Sequence, residues 1–154
     1  MRIVRQSDRG RARGNSNPQR ENMDTKIVPG VVKEQLIATL NPADSVMDAV
    51  NMMTERRIGA VIIADDDASL AGIFTERDLV NRVVAMGLNA RETSLKQVMT
   101  SNPDTLGPND TAMYALELMS ERRYRHLPVV DGDKVVGMVS IRDLYEAVKE
   151  GPEE

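Results

Sequence analysis

The sequence contains no cysteine, and its only histidine is His126. The lack of cysteine excludes disulfides, thiolate metal sites and a cysteine nucleophile, although it does not fix the redox compartment. A single histidine excludes zinc catalysis built on several imidazoles. A Walker-type glycine loop is also missing, and no motif supplies a nucleophile and a base together. The sequence therefore favours a protein that is not an enzyme.

Long hydrophobic runs are absent as well. No apolar run approaches the roughly 18 to 20 residues that span a bilayer, which excludes a membrane span. The arginine-rich N-terminus is not followed by an apolar stretch, so it does not look like a secretory signal. With 41% hydrophobic and 29% charged residues, the composition is that of a soluble globular protein. We therefore expect a cytoplasmic protein.

Positive charge is concentrated at the N-terminus, although the net charge of the whole chain is −4. Residues 1–25 include six arginines, and we predict that they form a disordered leader. One interpretation is a flexible leader, or an upstream start before Met23. The other is an arm that binds nucleic acid or anionic lipid, since clustered arginines release counterions from phosphates. The lack of interleaved aromatic residues favours the first interpretation.

One long segment of the chain occurs twice. "TLNPADSVMDAVNMMTERRIGAVIIAD", which begins at Thr39, aligns with "TLGPNDTAMYALELMSERRYRHLPVVD", which begins at Thr105. The second copy has a turn that is one residue shorter, after which Gly72 aligns with Gly137. This pattern indicates a tandem duplication of a unit of roughly 60 residues. The predicted organisation is a leader (1–25), a first unit (26–91), a second unit (92–150) and a tail (151–154).

Each copy alternates between helix and strand. Four apolar residues at i, i+3, i+4 and i+7 place one apolar stripe on a helix; they are Val46, Ala49, Val50 and Met53 in the first copy, and Ala112, Ala115, Leu116 and Met119 in the second. The candidate caps of these helices are Asp44 or Ser45, and Asp110 or Thr111. Two short apolar runs then predict strands, and a second helix follows.

The predicted unit is thus a short strand or extended segment, a helix, two strands and a helix, which makes the fold class α+β. Neither copy alone can cover both faces of so small a three-stranded sheet. We therefore expect the two copies to pack through their sheets as a pseudo-twofold pair. Most of the ten methionines fall on the helix faces, where we expect them to fill the core.

The second strand of each copy runs directly into the second helix. "GIFTERDLVNRV" begins at Gly72, and "GMVSIRDLYEAV" begins at Gly137. In both, a hydroxyl residue is followed three positions later by aspartate, the pattern of a capping box. A helix start also offers amide donors to an anion, and a carboxylate beside it can accept both hydroxyls of a ribose. The glycines would let a flat ring lie close to the backbone, so capping and sugar binding both remain open.

These corners resemble a tandem pair of cystathionine beta-synthase (CBS) domains. The resemblance is carried by the corners, by the preceding "RRIGAVIIAD" and "RRYRHLPVVD", and by "VMTSNPDTL", which opens the second copy. It covers about Ile27 to Glu150. It implies two β-α-β-β-α units packed through their sheets, with a cleft on each side that can hold an adenine nucleotide. It also implies a homodimer.

By this resemblance, the second copy would hold the nucleotide at its corner. Asp143 would accept the ribose hydroxyls, Ser140 would bond the ribose or the α-phosphate, and Thr105 would approach the sugar or phosphate. The backbone that begins at Arg125 would line the adenine, with Arg125 and His126 facing the phosphates. The implied site residues of the second copy are Thr105, Arg125, His126, Leu127, Pro128, Ser140, Arg142 and Asp143.

The first copy has matching positions but different charge. The implied site residues there are Thr39, Gly59, Ala60, Val61, Thr75, Arg77 and Asp78. Where the second copy has Arg125 and His126, the first has a glycine and an alanine. A cation about 4 Å from a phosphate contributes roughly 1 kcal/mol in water and severalfold more in a partly buried cleft, so we expect the second site to hold the phosphates. The first would bind adenosine alone, take a phosphate contact from Arg77 or Arg142, or stay empty.

Two functions remain open. The first is a regulatory module whose ligand is AMP, ADP, ATP, NAD(H) or S-adenosylmethionine, with no metal beyond a nucleotide-bound Mg²⁺. Its effect would be limited by the ligand's preference for one conformation, typically 1 to 3 kcal/mol, and it would act on a downstream protein that the sequence does not identify. The alternative is a structural dimerisation or adaptor module with a nucleic-acid-binding basic arm. That binding would depend steeply on salt and be lost without residues 1–22.

Overall fold

The structure is a computed structural model that describes residues 24–27 and 38–150. Most of the predicted leader and the tail lie outside these residues. The described residues fall into two compact units. One contains Ala38–Asp104 together with Asp133–Val135, and the other contains residues 24–27, 105–132 and 136–150. Both combine helices with strands, which confirms the α+β fold class.

The first-copy unit is built on a four-stranded sheet in the order β1-β2-β3-β4. Its elements are β1 (Thr39–Leu40), α1 (Val46–Arg56), β2 (Ala60–Ala64), β3 (Leu70–Thr75), α2 (Glu76–Asp78), a π-helix (Leu79–Val84), α3 (Leu95–Val98) and β4 (Thr100–Ser101). β1 runs parallel to β2, and the other two pairings are antiparallel. The expectation of a three-stranded sheet is wrong for this unit, because β4 comes from the stretch that opens the second copy.

Helix α1 begins at a capping box. The hydroxyl of Ser45 accepts a hydrogen bond from the Asp48 amide at 3.0 Å, and the Asp48 carboxylate accepts one from the Ser45 amide at 3.1 Å. Of the two candidates Ser45 is therefore the cap, while Asp44 accepts from the Asn41 amide in the preceding turn. The predicted apolar stripe packs into a core that also includes Phe74 of β3.

The helix that follows β3 differs from the regular helix that periodicity predicts. After the single α turn of α2, the chain forms a π-helix over Leu79–Val84. Within it Val83 is buried, and the Arg82 guanidinium donates to the carbonyls of Val98 and Met99 at 3.2 and 3.0 Å. These contacts join residues 16 and 17 positions apart, so they leave no trace in the local pattern.

The second-copy unit follows the predicted order of elements. It contains α4 (Ala112–Arg122), β5 (His126–Asp131), most of β6 (Lys134–Ser140) and α5 (Ile141–Glu150), while the first two residues of β6 are assigned to the first-copy unit. Thr111 caps α4 by accepting from the Tyr114 amide at 3.1 Å. β5 and β6 form a two-stranded sheet, and Leu106 adds a single parallel bridge to Val129 at the position where the first copy has β1.

The short described segment 24–27 also belongs to the second-copy unit. The Ile27 amide donates to the Asp110 carbonyl at 2.7 Å, and the Ala112 amide donates to the Thr25 carbonyl at 2.8 Å. Ile27 is fully buried in the core around Leu106. Residues from the beginning of the first predicted unit thus complete the core of the second. No helix in the described part of the chain is long and apolar enough to cross a membrane.

Candidate functional site

Both strand-to-helix corners are capping boxes, as their sequence pattern predicts. In the first copy the Thr75 hydroxyl accepts from the Asp78 amide at 3.1 Å, and the Asp78 carboxylate accepts from the Thr75 amide at 3.0 Å. In the second copy the same two bonds join Ser140 and Asp143 at 3.0 and 2.9 Å. The caps hold each aspartate at the first turn of its helix, with one carboxylate oxygen turned back to the strand.

A second bond brings the preceding strand to each corner. The Glu76 amide donates to the Gly59 carbonyl at 3.1 Å, and the Ile141 amide donates to the Arg125 carbonyl at 2.9 Å. These bonds occupy matching positions in the two copies. The start of the first buried strand and the start of the second helix therefore lie side by side in each unit, as the resemblance implies.

In the first copy the structure brings the implied site residues together through the sheet. Ala60 lies opposite Thr75 in the antiparallel pair of β2 and β3. Thr39 pairs with Ile62, two residues further along β2. Thr39 and Arg77 are exposed, whereas Ala60 and its neighbour Val61 are buried, so the latter two offer backbone rather than side chains.

The second copy exposes more of its polar groups. Arg125, Arg142 and Asp143 are exposed, and Thr105, His126 and Ser140 are partly buried. Leu127 and Pro128, which continue β5 from His126, are buried. Thr105 stays close because the next residue, Leu106, donates to the Pro128 carbonyl at 2.9 Å. This corner therefore combines an accessible carboxylate, two exposed guanidinium groups and an apolar strand.

The two corner carboxylates differ in their surroundings. Asp78 is only 8% exposed, and its oxygens also lie 3.4 and 3.5 Å from the Thr100 hydroxyl and 3.7 Å from Arg82 Nε. Sequence reasoning missed both neighbours. The i, i+4 spacing from Asp78 to Arg82 is a detectable signal for an ion pair, but Thr100 is 22 positions away and has no local signal.

Gly72 does not leave space for a ligand ring. A Cβ atom at this position would lie 2.6 Å from the Thr100 carbonyl oxygen and 2.8 Å from Met99 Sδ. The expectation of a flat ring beside this glycine is therefore wrong, because β4 already occupies the space. The glycine is needed for the close approach of β4 to β3.

Other polar features of the described residues lie away from the corners. An open pocket of about 760 Å³ lies in the first-copy unit at the far end of β2; it is lined by Asn41, Pro42, Ala43, Asp65, Asp66, Asp67, Ser94 and Lys96. Three neighbouring carboxylates make it unsuited to a phosphate. Within residues 24–27 and 38–150, no three His, Cys, Asp or Glu side chains converge as a metal site would require.

Duplicated α+β units with matching capped corners define a tandem-repeat protein with one candidate ligand site in each copy. The family model of the CBS domain matches residues 23–85 and 95–150. The chain therefore belongs to the CBS domain family. Proteins of this family are generally regulatory modules that bind adenosine ligands.

Individual relatives agree with this assignment. The Arabidopsis thaliana CBS domain-containing protein CBSCBSPB2 is 39% identical over 111 residues, which cover 71% of this chain and 21% of the relative. The chain thus spans about a fifth of that relative's length. A solved structure of a protein with CBS domains from Burkholderia ambifaria is 37% identical, with a TM-score of 0.71 over 77% of this chain and 87% of that one. A hexameric CBS-CP12 protein from bloom-forming cyanobacteria is 26% identical, with a TM-score of 0.67 over 78% and 72% of the two chains.

Proposed function

We propose that this protein is a regulatory sensor that binds an adenine nucleotide or a related adenosyl ligand at the corner of its second copy. The observation that carries the proposal is the carboxylate of Asp143. It is exposed at the start of a ten-residue helix, and among the described residues only the Ser140 amide donates a hydrogen bond to it. The candidate ligands are AMP, ADP, ATP, NAD(H) and S-adenosylmethionine.

The chemistry of the corner suits a ribose next to a phosphate. A carboxylate with an accessible oxygen accepts two vicinal hydroxyls in charge-assisted hydrogen bonds. The start of α5 adds the positive end of the helix dipole, which favours an anion. Arg125 and Arg142 are exposed at the same corner. A guanidinium group can donate two parallel hydrogen bonds to the oxygens of one phosphate. The backbone of β5 at Leu127 and Pro128 would lie against the base.

Regulation would involve the association of two copies of the chain as well as the binding of the ligand. Large apolar side chains are exposed in both units; they are Val80 and Val84 on the π-helix and Met86 and Leu88 just after it in the first, and Met113, Tyr114 and Tyr145 on helices of the second. Exposed apolar patches are typical of interaction surfaces. The assembly of the hexameric cyanobacterial relative supports association between copies, and we propose a homodimer. A ligand that prefers one conformation of such a dimer would shift its equilibrium by 1 to 3 kcal/mol.

The test is thermal unfolding of the protein with AMP, ADP, ATP, NAD, NADH, S-adenosylmethionine and GTP. At 100 times its dissociation constant, a ligand stabilises the native state by about 2.7 kcal/mol, which raises Tm by about 5 to 10 °C in a chain of this size. Asp143→Ala should remove the shift. Asp131→Ala is the matched control, since it removes the same charge at the other end of β5.

Stabilisation by an adenine compound that persists in Asp131→Ala and disappears in Asp143→Ala supports the proposal. Stabilisation by none of the compounds contradicts it and favours the adaptor function. In that case the full chain should bind nucleic acid with steep salt dependence, and a chain lacking residues 1–22 should not.

A further inference from the structure

The corner carboxylate of the first copy is already part of the fold. Asp78 caps its own helix, lies within 3.5 Å of the Thr100 hydroxyl on β4, and lies 3.7 Å from Arg82 Nε. Its side chain is 11% exposed. Its oxygens therefore already face donors from three parts of the first-copy unit.

These neighbours belong to a connected set of bonds. The Arg82 guanidinium also donates to the carbonyls of Val98 and Met99, which immediately precede β4. Met99 in turn lies against Gly72. Asp78 and Arg82 thus help to hold β4 on the edge of the sheet. A ligand hydroxyl that replaced Thr100 at Asp78 would break one of the contacts that hold β4 in place.

Among the described residues, the second copy shows no such arrangement at its corner. With the offset of 65 that aligns Gly72 with Gly137, the position of Arg82 is taken by Ala147. No cation therefore follows Asp143 at i+4, and the aspartate is exposed. The carboxylate that corresponds to Asp78 remains accessible to a ligand.

We infer that the chain binds one nucleotide, at the second corner, and that the first corner is a structural counterpart that fastens β4. This inference rests on the proposed function and specifies its stoichiometry. Asp78 then stabilises the first-copy unit and Asp143 binds the ligand, although the two aspartates occupy matching positions in the two copies. Arg82 and Thr100 are positioning residues for the first corner.

The test combines calorimetric titration with thermal unfolding, using AMP and ATP as probes. The wild-type protein should bind one molecule per chain. Asp143→Ala should weaken binding at least tenfold. Asp78→Ala should leave the stoichiometry at one and change Kd by less than about threefold, because Asp78 does not contact the ligand. A tenfold change in Kd would correspond to about 1.4 kcal/mol of binding free energy.

Unfolding without ligand provides an independent measurement. Asp78→Ala should lower Tm by about 6 °C, because it removes half of a capping box together with the carboxylate that faces the Thr100 hydroxyl and Arg82 Nε, whereas Asp143→Ala should lower it by about 2 °C. If Asp78→Ala does not fold, Thr100→Val replaces it. That variant removes only the hydroxyl and should lower Tm while one nucleotide still binds.

The outcomes separate this inference from the proposed function. Two nucleotides per chain, with one lost in Asp78→Ala or Thr100→Val, would overturn the inference and leave the proposed function intact. Equal losses of Tm in Asp78→Ala and Asp143→Ala would overturn it as well. If neither probe nor any other adenosyl compound binds the wild-type protein, the proposed function fails and the inference fails with it.

Discussion

Replacing Gly72 with alanine tests the role of β4 directly. The added Cβ atom would lie 2.6 Å from a backbone oxygen of Thr100, about 0.8 Å inside the shortest ordinary contact. Backbone cannot rotate away as a flexible side chain can, so β3 and β4 must separate. Their pairing is only two residues long, joining Gly72 to Ser101 and Ile73 to Thr100. Overpacking of this kind costs about 1 to 3 kcal/mol, and we expect a value near the upper end.

The assay is thermal unfolding followed by circular dichroism. A loss of about 2 to 3 kcal/mol should lower Tm by about 4 to 12 °C in a chain of this length. Gly107→Ala is the matched control, since its nearest neighbour, the Asp110 carboxylate, would be 3.7 Å away. It should be neutral or stabilising by a few tenths of a kcal/mol. Equal Tm values for the two variants would show that β4 does not press on Gly72.

Three further changes have defined outcomes. Arg123 follows α4 and has a φ of 62°. Arg123→Gly should therefore relieve left-handed strain and raise the free energy of unfolding by about 0.5 to 1 kcal/mol in urea titrations. A decrease would contradict the left-handed backbone conformation at Arg123. Thr111→Ala should lower the free energy of unfolding by about 1 kcal/mol because it removes the cap, whereas Thr111→Ser should retain most of this stabilisation. The hydroxyl and amide of Ser69, together with Lys134, hold the pKa of Asp67 below its ordinary 3.8. Because the folded-state pKa is lowered, this stabilisation is complete above the unfolded value and is lost as pH falls through the folded one. Lys134→Ala should raise the Asp67 pKa in NMR titrations, and an unchanged value would contradict the contact.

The helices of the fold and their caps were predictable from short stretches of sequence. The apolar stripe around Val46 and Met53 predicts α1, and the hydroxyl before it predicts the cap, because both depend on residues three or four positions apart. The two corner boxes follow the same logic. The duplication made each prediction twice, so a pattern that is weak in one copy was supported by the other.

The sequence failed where residues far apart meet. Nothing near Leu79 predicts a π-helix, and nothing near Thr100 predicts that it pairs with Gly72. Nothing near either corner predicts that the two carboxylates differ in exposure, because the burial of Asp78 involves β4, a strand 22 positions further along the chain.

By itself, the sequence determined a duplicated α+β chain with capped helices and two matching corners. The helices and their caps follow from residues three or four positions apart, because the hydrogen bonds that form them are local. Only the tertiary structure decided that Asp78 faces Thr100 and Arg82 while Asp143 faces solvent. That difference depends on which distant segment packs against each corner, and packing is a property of the whole unit rather than of the corner's own residues.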